Sequence, residues 1–524
     1  MTTAAGSIGR SIRVIDEVLT STFDRAFAPA HNPWRHLGAL AFLFLVLSVV
    51  TGVIAYALYD TSVAGAYQSG LRLQDDLWLF GRLLRGLHRY GADAFLLVSI
   101  LHLVREAVRG HFRAVRWYSW LTGLPLLWMI WMAGLAGFWL LWDQRAIYSL
   151  EATALWLQAL PMMTDELARN FLTAQAMNDR FFSLILFIHI GVPLLMLAGV
   201  WIHIQRVAMP RIWPPRPVTL GSLAMLSLLS LLVPVRSLEP ANMGRVPAEL
   251  SLDWFYLFIH PLMDAISPVG LWLLVLGLTL ALAALCLLRL PKTQRLAAAE
   301  VDLANCNGCS RCAADCPFGS ISMVARTDDS RHAFQPLVNS DLCVSCGICV
   351  GSCPSATPFR RIEEIVSGIE LPDAPLVALR RELQQKMAAL TGPQPVVVFA
   401  CRQAGCSTST LVNAETAVLV VECAAMVPPS FLEYATRRGA AGVMVTGCRE
   451  ADCEYRLGDR WMMQRMARER EPRLRAAAAH DRMVILWSGS SLAAVVTALA
   501  QLRTRLKMAE SVLADAHTIQ ISDE

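Results

Sequence analysis

Long apolar stretches dominate the first 290 residues, whereas the rest of the chain mixes apolar and polar positions in ordinary proportion. Stretches of this length predict membrane-spanning helices, which need about 20 predominantly apolar residues each. We expect six such helices, of which the fifth is short and ends near Pro234. Their ranges are about 37–58, 87–107, 118–141, 183–206, 218–235 and 268–290.

The pattern before the first span differs from a secretory signal, because it lacks a compact apolar core followed by a cleavage site. It predicts an amphipathic surface helix, so we expect the first span to remain in the mature protein. The apolar side of this helix would carry Ile12, Val14, Ile15, Val18 and Leu19.

The pattern after residue 290 indicates further domains. Cysteines crowd into residues 296–360, and a charged, helical linker is expected over 361–390. In residues 394–510, the apolar runs VVVFA, AVLVVE, AGVMVTG and RMVILW alternate with helical patterns, as in a parallel α/β sheet. The expected fold is therefore multidomain, with a helical membrane bundle over 1–290 and α+β and α/β domains after it.

Composition supports an integral membrane protein with attached domains. The chain is 55% hydrophobic and only 17% charged, and its formal net charge is +4. Its mean hydropathy is +0.45. No basic tract with interleaved aromatic residues occurs, so nucleic-acid binding is excluded as a function class.

Basic residues predict the orientation in the membrane, because cytoplasmic loops carry an excess of Lys and Arg. They cluster before span one, between spans two and three, between four and five, and after span six. We therefore expect a protein of the inner (cytoplasmic) membrane, with everything after residue 290 in the cytoplasm. These residues are Arg10, Arg13, Arg25, Arg35, Arg105, Arg109, Arg113, Arg116, Arg206, Arg211, Arg216, Arg289, Lys292 and Arg295. The opposite loops carry Asp60, Asp75, Asp76, Asp143, Glu151, Asp165 and Glu166.

Four histidines form two pairs with the same spacing, His88 with His102 and His189 with His203. Fourteen helical residues rise about 21 Å and return to within about 40° of the starting direction. Each helix therefore presents two imidazoles on nearly one face at two membrane depths. Intramembrane histidines are costly and usually functional. Two such helices facing each other predict two stacked haems, the outer on His88 and His189 and the inner on His102 and His203.

Four glycines repeat the same interval, Gly38 with Gly52 in span one and Gly123 with Gly137 in span three. Glycine lets a flat macrocycle approach a helix backbone. The alternative is ordinary helix–helix packing, where small residues are common. The match to the histidine interval favours haem contact.

This region of the chain resembles cytochrome b of the bc-type quinol-oxidising complexes over about residues 30–290. Arg85 and Arg105 match arginines that lie near haem propionates in that family, and Gly91 and Pro193 also fit. The resemblance implies two b-type haems and a quinone or quinol as substrate. It covers the family's first six helices and lacks the last two.

The segment EPANMGRVPAELSLDWFYLF resembles the family's outer loop with its Pro-Glu-Trp-Tyr tetrapeptide, which is Leu252-Asp253-Trp254-Phe255 here. The resemblance implies that Asp253, beside Trp254, accepts protons at an outer quinone site. The alternatives are that Asp253 lies in a solvated loop, or that quinone reacts at an inner site with only one haem. His36 stands where photosynthetic relatives have a haem-linking cysteine, and no Cys-x-x-Cys-His occurs, so no c-type haem is expected.

Thirteen of the fourteen cysteines follow residue 305 in tight clusters, which favours redox cofactors over disulfides. Two Cys-x2-Cys-x2-Cys-x3-Cys-Pro runs match the bacterial two-cluster ferredoxin pattern, in which the fourth cysteine of each run binds the other cluster. Zinc is the alternative, but four-cysteine zinc sites usually lack the second Cys-x2-Cys spacing within one run and the proline after the last cysteine. One [4Fe–4S] cluster is expected on Cys306, Cys309, Cys312 and Cys353, and the second on Cys343, Cys346, Cys349 and Cys316.

Five cysteines remain in the last domain, and three of them follow the end of an apolar run. In a parallel sheet, those carboxyl ends open onto one crevice. Residues 394–505 resemble the iron–sulfur delta subunit of methyl-viologen-reducing hydrogenase, which implies one [2Fe–2S] cluster on four of the five. The alternative is free thiols or a regulatory redox site. The five are Cys401, Cys406, Cys423, Cys448 and Cys453.

Together these features predict a membrane-bound electron-transfer subunit of a quinone oxidoreductase complex, which we expect to form a homodimer within a larger assembly. The delta-subunit resemblance implies a separate cytoplasmic flavoprotein, similar to heterodisulfide reductase or a dehydrogenase, because no flavin or nicotinamide fingerprint occurs here. Two alternatives stay open. One is a quinol-bifurcating bc-type subunit with an outside acceptor, and the other is a non-enzymatic anchor for a dehydrogenase.

Overall fold

The computed structural model describes most of the chain, and its described residues form two compact units. The first comprises residues 1–205 and 210–290, and the second comprises 206–209 and 291–524. Residues outside the description are 1, 113–115, 162–176, 206, 208, 245–248, 288–295, 329, 360–366, 451, 490 and 522–524, and the side chains of 2–14 and 509–521 also lie outside it. Of the residues singled out above, these gaps contain Arg113, Asp165, Glu166, Arg206, Arg289, Lys292, Arg295 and the side chains of Arg10, Ile12, Arg13 and Val14.

The described region of the first unit is built of helices. They are α1 (Thr2–Phe27), α2 (Leu37–Tyr56), α3 (Ala66–Asp75), α4 (Trp78–Val108), α5 (Trp117–Leu140), α6 (Gln144–Gln158), α7 (Asp179–Ile204), α8 (Arg216–Leu232), α9 (Ile259–Ile266) and α10 (Pro268–Ala284).

Four helices among the described residues are long and apolar enough to cross a membrane: 37–56, 117–140, 179–204 and 268–287. The predicted second span lies inside α4, whose 31 residues extend about 46 Å, well beyond a hydrocarbon core of about 30 Å. The first half of α4 carries Arg82, Arg85 and Arg89, which lower its hydropathy. The predicted fifth span forms the shorter α8. The count of six spans therefore remains a prediction.

Helices α3, α6 and α9 occupy segments that the hydropathy pattern leaves as loops between spans. Helix α6 begins where the Asp143 side chain accepts a hydrogen bond from the Ala146 amide, which is an ordinary N-cap. Its buried residues include Ala152 and Trp156, which pack with Ile259 and Met263 of α9. The search for long apolar stretches did not predict these helices, because they are short and mix polar with apolar positions.

The amphipathic helix predicted at the start is present as α1. Ile15 and Val18 are more than half exposed, in keeping with an apolar outer side. The opposite side is polar, because buried Asp16 lies 3.5 Å from Arg105 Nε and 3.1 Å from Arg109 Nε. These two ion pairs fasten α1 to the end of α4.

Two helix pairs dominate the packing of the first unit, α2 with α4 and α5 with α7. Phe44, Phe95, Ile130 and Met196, one from each of the four helices, belong to one buried apolar cluster. This arrangement sets the histidine-bearing helices against the glycine-bearing helices.

The second unit begins with a small α+β region, called the ferredoxin-like region below. Strand β1 (Glu300–Val301) pairs antiparallel with β4 (Ile369–Glu370), and β2 (Ile321–Ala325) forms an antiparallel pair with β3 (Phe334–Val338). Two short helices, α11 (Arg311–Asp315) and α12 (Ile348–Ser352), lie inside the two cysteine runs.

The rest of the second unit contains a four-stranded parallel sheet in the order β6–β5–β7–β8, which confirms the predicted parallel architecture. The strands are β5 (Val396–Cys401), β6 (Thr416–Val421), β7 (Gly442–Gly447) and β8 (Met483–Trp487), and the helices are α13 (Leu376–Ala388), α14 (Pro429–Arg437), α15 (Gly458–Met466) and α16 (Leu492–Ile521). Helix α13 falls in the predicted linker. Its Leu376, Leu379 and Leu383 are buried, so this described portion of the linker is packed structure.

A buried arginine joins the ferredoxin-like region to the sheet domain. Arg465 of α15 is fully buried and donates to Asp315 Oδ2 at 2.7 Å and to Ser352 Oγ at 2.6 Å. Its other terminal nitrogen donates to Ala425 O at 2.7 Å. Breaking a buried ion pair by removing one partner costs about 3–5 kcal/mol. This interaction therefore fixes the ferredoxin-like region against the sheet domain.

Candidate functional site

Each of the four histidines faces one of the four glycines across a helix interface. A Cβ added at Gly52 would lie 3.0 Å from His88 Cε1, and one at Gly137 would lie 2.9 Å from His189 Cε1. At the other depth, a Cβ on Gly38 would lie 3.4 Å from His102 Cε1, and one on Gly123 would lie 3.1 Å from His203 Cε1. The glycines therefore make room for the imidazoles, where the sequence predicts that they make room for the macrocycle.

Three of the four imidazoles are oriented by an uncharged oxygen on the neighbouring helix. The contacts are His88 Nδ1 to Ser48 O at 3.0 Å, His189 Nδ1 to Ala133 O at 2.8 Å, and His203 Nδ1 to Thr122 Oγ1 at 3.2 Å. A carbonyl can only accept, so Nδ1 of His88 and of His189 donates and leaves Nε2 with its lone pair. This is the usual orientation of a metal-bound histidine, whose second nitrogen donates to an outer partner.

His102 has a different neighbour. Its Nδ1 lies 3.9 Å from Glu106 Oε1, and the second carboxylate oxygen of Glu106 lies 2.6 Å from His111 Nδ1. A carboxylate thus faces one of the four imidazoles and is itself held by His111, a histidine outside those four. The sequence reasoning did not single out Glu106 or His111.

The rings of His88 and His189 leave space for a metal between them. The ring centroids of His88 and His189 are 6.1 Å apart, with 72° between the ring planes. Two metal–imidazole bonds of about 2.0 Å each, together with two half-rings, fill a separation of this size. The donor set and the glycine clearances therefore fit a haem with two axial histidines.

The two predicted propionate arginines are both buried. Arg85 donates to Gly70 O at 3.0 Å, Gln74 Oε1 at 3.1 Å and Ser237 Oγ at 2.7 Å. Arg105 pairs with Asp16, as described for α1. Their role toward haem propionates remains a prediction.

The predicted outer-site carboxylate is held in place by several contacts. Asp253 Oδ1 accepts from the amides of Phe255 at 3.0 Å and Tyr256 at 2.8 Å, and its Oδ2 pairs with Arg89. Arg89 directly follows His88 in α4 and also pairs with Asp93 one turn further on. Asp253 is therefore a partly buried, paired carboxylate. Trp254 is 73% exposed and lies against Phe255, with ring centroids 4.4 Å apart.

Helix α9 contains a buried histidine that the sequence reasoning missed. His260 Nε2 lies 3.0 Å from Thr153 Oγ1, while its Nδ1 has no hydrogen-bond partner. Burial lowers the pKa of His260 to about 4. The indole nitrogen of nearby Trp156 is also buried without a partner. Arg89, Asp93 and His260 share one signal that could have revealed them, a titratable side chain within an apolar helical pattern.

The ferredoxin-like region contains two cavities that separate the eight cysteines into two sets. Cys316, Cys343, Cys346 and Cys349 line one cavity, and Cys306, Cys309, Cys312 and Cys353 line the other. These are the two ligand sets that the crossed ferredoxin pattern predicts. No group of three or more His, Cys, Asp or Glu side chains among the described residues is arranged around a single ion.

Local hydrogen bonds and burial act on these thiols. Cys316 Sγ lies 3.1 Å from Ser320 Oγ, and the Gly308 amide donates to Cys306 Sγ at 3.4 Å. Burial raises the pKa of the Cys349 thiol well above its usual range and that of Cys312 to about 12. Because the thiolate is the ligand, iron binding must displace these protons.

The sheet domain brings together four of its five cysteines. Cys401 ends β5, Cys448 follows β7, and Cys423 follows β6, so all three lie at carboxyl ends of strands. Hydrogen bonds from Cys423 and Cys448 lower the pKa of Cys401, and the same two thiols lower the pKa of Cys453. Gly458 makes room for the group, because a Cβ there would lie 2.5 Å from Cys423 Sγ.

Cys406 stands apart from the other four. Burial raises the pKa of its thiol, and its partly buried side chain packs with the apolar cluster under the sheet. The sequence left open which four cysteines act together. The structure brings together Cys401, Cys423, Cys448 and Cys453.

Three family models match separate parts of the chain. Residues 23–209 match the model for cytochrome b/b6/petB, residues 305–357 that for the 4Fe-4S dicluster domain, and residues 396–508 that for methyl-viologen-reducing hydrogenase, delta subunit. Cytochrome b6 of Euglena gracilis is 30% identical over 167 residues, which cover 31% of this chain and 77% of that protein. The chain belongs to the cytochrome b/b6 family.

Two further similarities have lower sequence identity. Cytochrome b of Allochromatium vinosum is 28% identical over 196 residues, which cover 36% of this chain and 46% of that protein. The chain thus spans about half the length of that relative. A chain of a hyperthermophilic respiratory Complex III aligns with a TM-score of 0.40 at 20% identity, covering 48% of this chain and 75% of that chain.

The family matches confirm the resemblances that the motifs indicated. A cytochrome b domain implies haem b, and a dicluster domain implies iron–sulfur clusters. The chain is therefore a membrane electron-transfer protein of the cytochrome b/b6 family, in which a dicluster domain and a delta-subunit domain follow the membrane domain.

The contact between Gly137 and His189 predicts the effect of one substitution. Gly137→Val should displace the His189 imidazole and reduce the haem content from two per chain to one, as measured by a pyridine haemochrome assay. Gly191→Val is the control, since a Cβ at Gly191 would meet nothing within 4 Å. Two haems per chain in the Gly137 variant would contradict the assignment.

The separation of Cys406 from the other four thiols predicts that substituting it and substituting Cys401 will affect the iron and sulfide content differently. Cys401→Ser should remove about two iron atoms and about two acid-labile sulfides per chain, because it takes one ligand from the group of four that would hold a [2Fe–2S] cluster. Cys406→Ser should keep the full content. Metal and sulfide analysis of both purified variants checks this, and an equal loss in the two variants would refute it.

Proposed function

We propose that this protein links the quinone pool to a cytoplasmic low-potential redox partner as a membrane subunit of a quinone oxidoreductase complex. The observation that carries the proposal is that one chain contains the four glycine-backed histidines and three separate groups of four cysteines. When bound, two b haems, two [4Fe–4S] clusters and one [2Fe–2S] cluster supply one-electron carriers. The residues of this chain would hold these carriers in series.

The histidine pairs lie at different depths of the membrane domain. His102 and His203 lie toward the ends of α4 and α7 that adjoin the basic segments, and His88 and His189 lie toward the opposite ends. The positive-inside rule supports a cytoplasmic position for the inner pair and for the second unit. The soluble partner proposed here is a flavoprotein or dehydrogenase of the kind that the delta-subunit resemblance implies.

For the quinone, we propose a site at the outer side near Asp253. The Asp253 side chain pairs with Arg89, and a carboxylate at this place is the proposed base that takes a proton from a quinol hydroxyl. Arg89 adjoins the ligand His88, so the same contact joins the proton acceptor to the outer histidine pair. The buried His260 nitrogen without a partner offers a second hydrogen-bonding group in this region.

The proposed order of carriers predicts the effect of removing the inner pair. His203→Ala should block reduction of the outer haem by a cytoplasmic donor while the iron–sulfur clusters stay reducible, and stopped-flow optical spectroscopy can follow both. The exposed His31→Ala serves as the control variant. Outer-haem reduction at an unchanged rate in the His203 variant would show that electrons take another route.

The Asp253 contacts predict a second result. Asp253→Asn keeps an oxygen for the two backbone amides but removes the charge that pairs with Arg89. It should slow haem reduction by a quinol about 100-fold or more, in line with the usual contribution of a general base. Asp76→Asn, at an exposed carboxylate, is the control. Equal rates in all three proteins would remove Asp253 from the quinone reaction.

A further inference from the structure

The segment from Cys453 to Arg465 belongs to the C-terminal domain but contacts the ferredoxin-like region repeatedly. Cys453 is one of the four grouped thiols, and Arg465 is the buried arginine that pairs with Asp315. Between them, Arg456 and Trp461 each donate a hydrogen bond to the end of helix α11 or the turn after it. One short stretch of chain therefore spans both sites.

These contacts enclose one particular cysteine, Cys316. Trp461 Nε1 donates to Asp315 O at 3.1 Å, immediately before Cys316. Arg456 Nη1 donates to Pro317 O at 2.9 Å, immediately after it. Cys316 lines the same cavity as Cys343, Cys346 and Cys349. The C-terminal domain thus fixes the backbone on both sides of a ligand of this cavity.

A second segment that lines the same cavity is fixed because its glycines lie very close to the turn after Cys423. Gly347 follows Cys346, and a Cβ there would lie 2.7 Å from Met426 Cγ. A Cβ at Gly351 would lie 2.0 Å from Ala425 O, so the helix carrying Cys349 lies directly on the turn after Cys423. Only glycine permits this approach without displacing the turn.

Tyr455, two residues after Cys453, is also fixed from the side of Cys401. Gln403 donates to the Tyr455 hydroxyl at 3.0 Å and holds it there.

The other ferredoxin cavity has different surroundings. Its lining consists of residues of the ferredoxin-like region that include Met323, Pro336 and Ile369, and its Cys309 is exposed. This cavity therefore opens to the surface of the unit.

The geometry points to a fixed order of electron transfer, from the Cys401–Cys423–Cys448–Cys453 site to the cavity of Cys316, Cys343, Cys346 and Cys349, and only then to the cavity with exposed Cys309. The inference deepens the proposed function and rests on it. Each step oxidises one cluster and reduces the next by one electron, and no bond or proton changes place. Arg456 and Arg465 are positioning residues, because they hold the ligand loop of the middle cavity against Cys453.

Magnetic coupling tests this order in the full-length protein. After reduction with dithionite, electron paramagnetic resonance of the Cys309→Ser variant should still show splitting between the C-terminal cluster and the remaining [4Fe–4S] cluster. Cys346→Ser should lose that splitting, because it disrupts the middle cavity. Splitting that survives in Cys346→Ser and disappears in Cys309→Ser would reverse the order.

Iron and sulfide analysis separates this outcome from a failure of the proposed function. Absence of iron at the C-terminal thiols would contradict the proposed function and this order together. A C-terminal cluster and a middle cluster that are both present in Cys309→Ser, yet show no splitting, would overturn the order alone.

The positioning role has its own measurement. Arg456→Ala should keep the full iron content but diminish the splitting, since the Pro317 carbonyl loses its donor. Arg465→Met should diminish it further, and Arg465→Lys should restore some of it by keeping the charge. Arg473→Ala, at a half-exposed arginine paired with Glu471, is the control. Unchanged splitting in the Arg456 variant at full iron content would refute the positioning role.

Discussion

The close approach of glycine backbone to histidine ring is the constraint on which the membrane domain depends. At Gly52, Gly123 and Gly137 an imidazole lies where an added side chain would crowd it, and at Gly38 an imidazole lies within van der Waals distance of such a side chain. These contacts fix the spacing between α2 and α4 and between α5 and α7, and with it the direction of each ring. Because both glycines and histidines recur every fourteen residues, the same contact is repeated at two depths without any change in helix geometry.

In the second unit, a buried ion pair holds the cysteine-bearing regions in position. Three strands end at one edge of a parallel sheet and carry thiols there, and α15 returns across that edge with an arginine buried beneath it. Burying a guanidinium is costly unless its donors find acceptors, and Asp315, Ser352 and Ala425 accept from its two terminal nitrogens, whereas its Nε has no hydrogen-bond partner. The ion pair is therefore specific for one docking geometry, because a shifted arrangement would leave a charge without a partner.

Features that depend on local spacing could be predicted from the sequence. The histidine pairs, the two cysteine runs and the parallel sheet each follow from intervals within a single helix, loop or strand. Features that depend on contacts between distant segments could not. The pairing of Asp253 with Arg89 joins residues 164 positions apart, and the isolation of Cys406 depends on how its loop folds onto the sheet. Helices α3 and α6 were not predicted, because their residues are neither as apolar as a membrane span nor strictly periodic in hydrophobicity.

The carboxylate of Glu106 makes the four imidazoles unequal. Ser48, Ala133 and Thr122 offer uncharged oxygens to three of them, whereas His102 faces a negative charge that His111 holds in position. A carboxylate beside a ligand imidazole raises its basicity and stabilises the oxidised metal. A metal bound to His102 would therefore be harder to reduce than one bound to His88, and the two depths of the bundle would differ in electron affinity even though their spacing is the same.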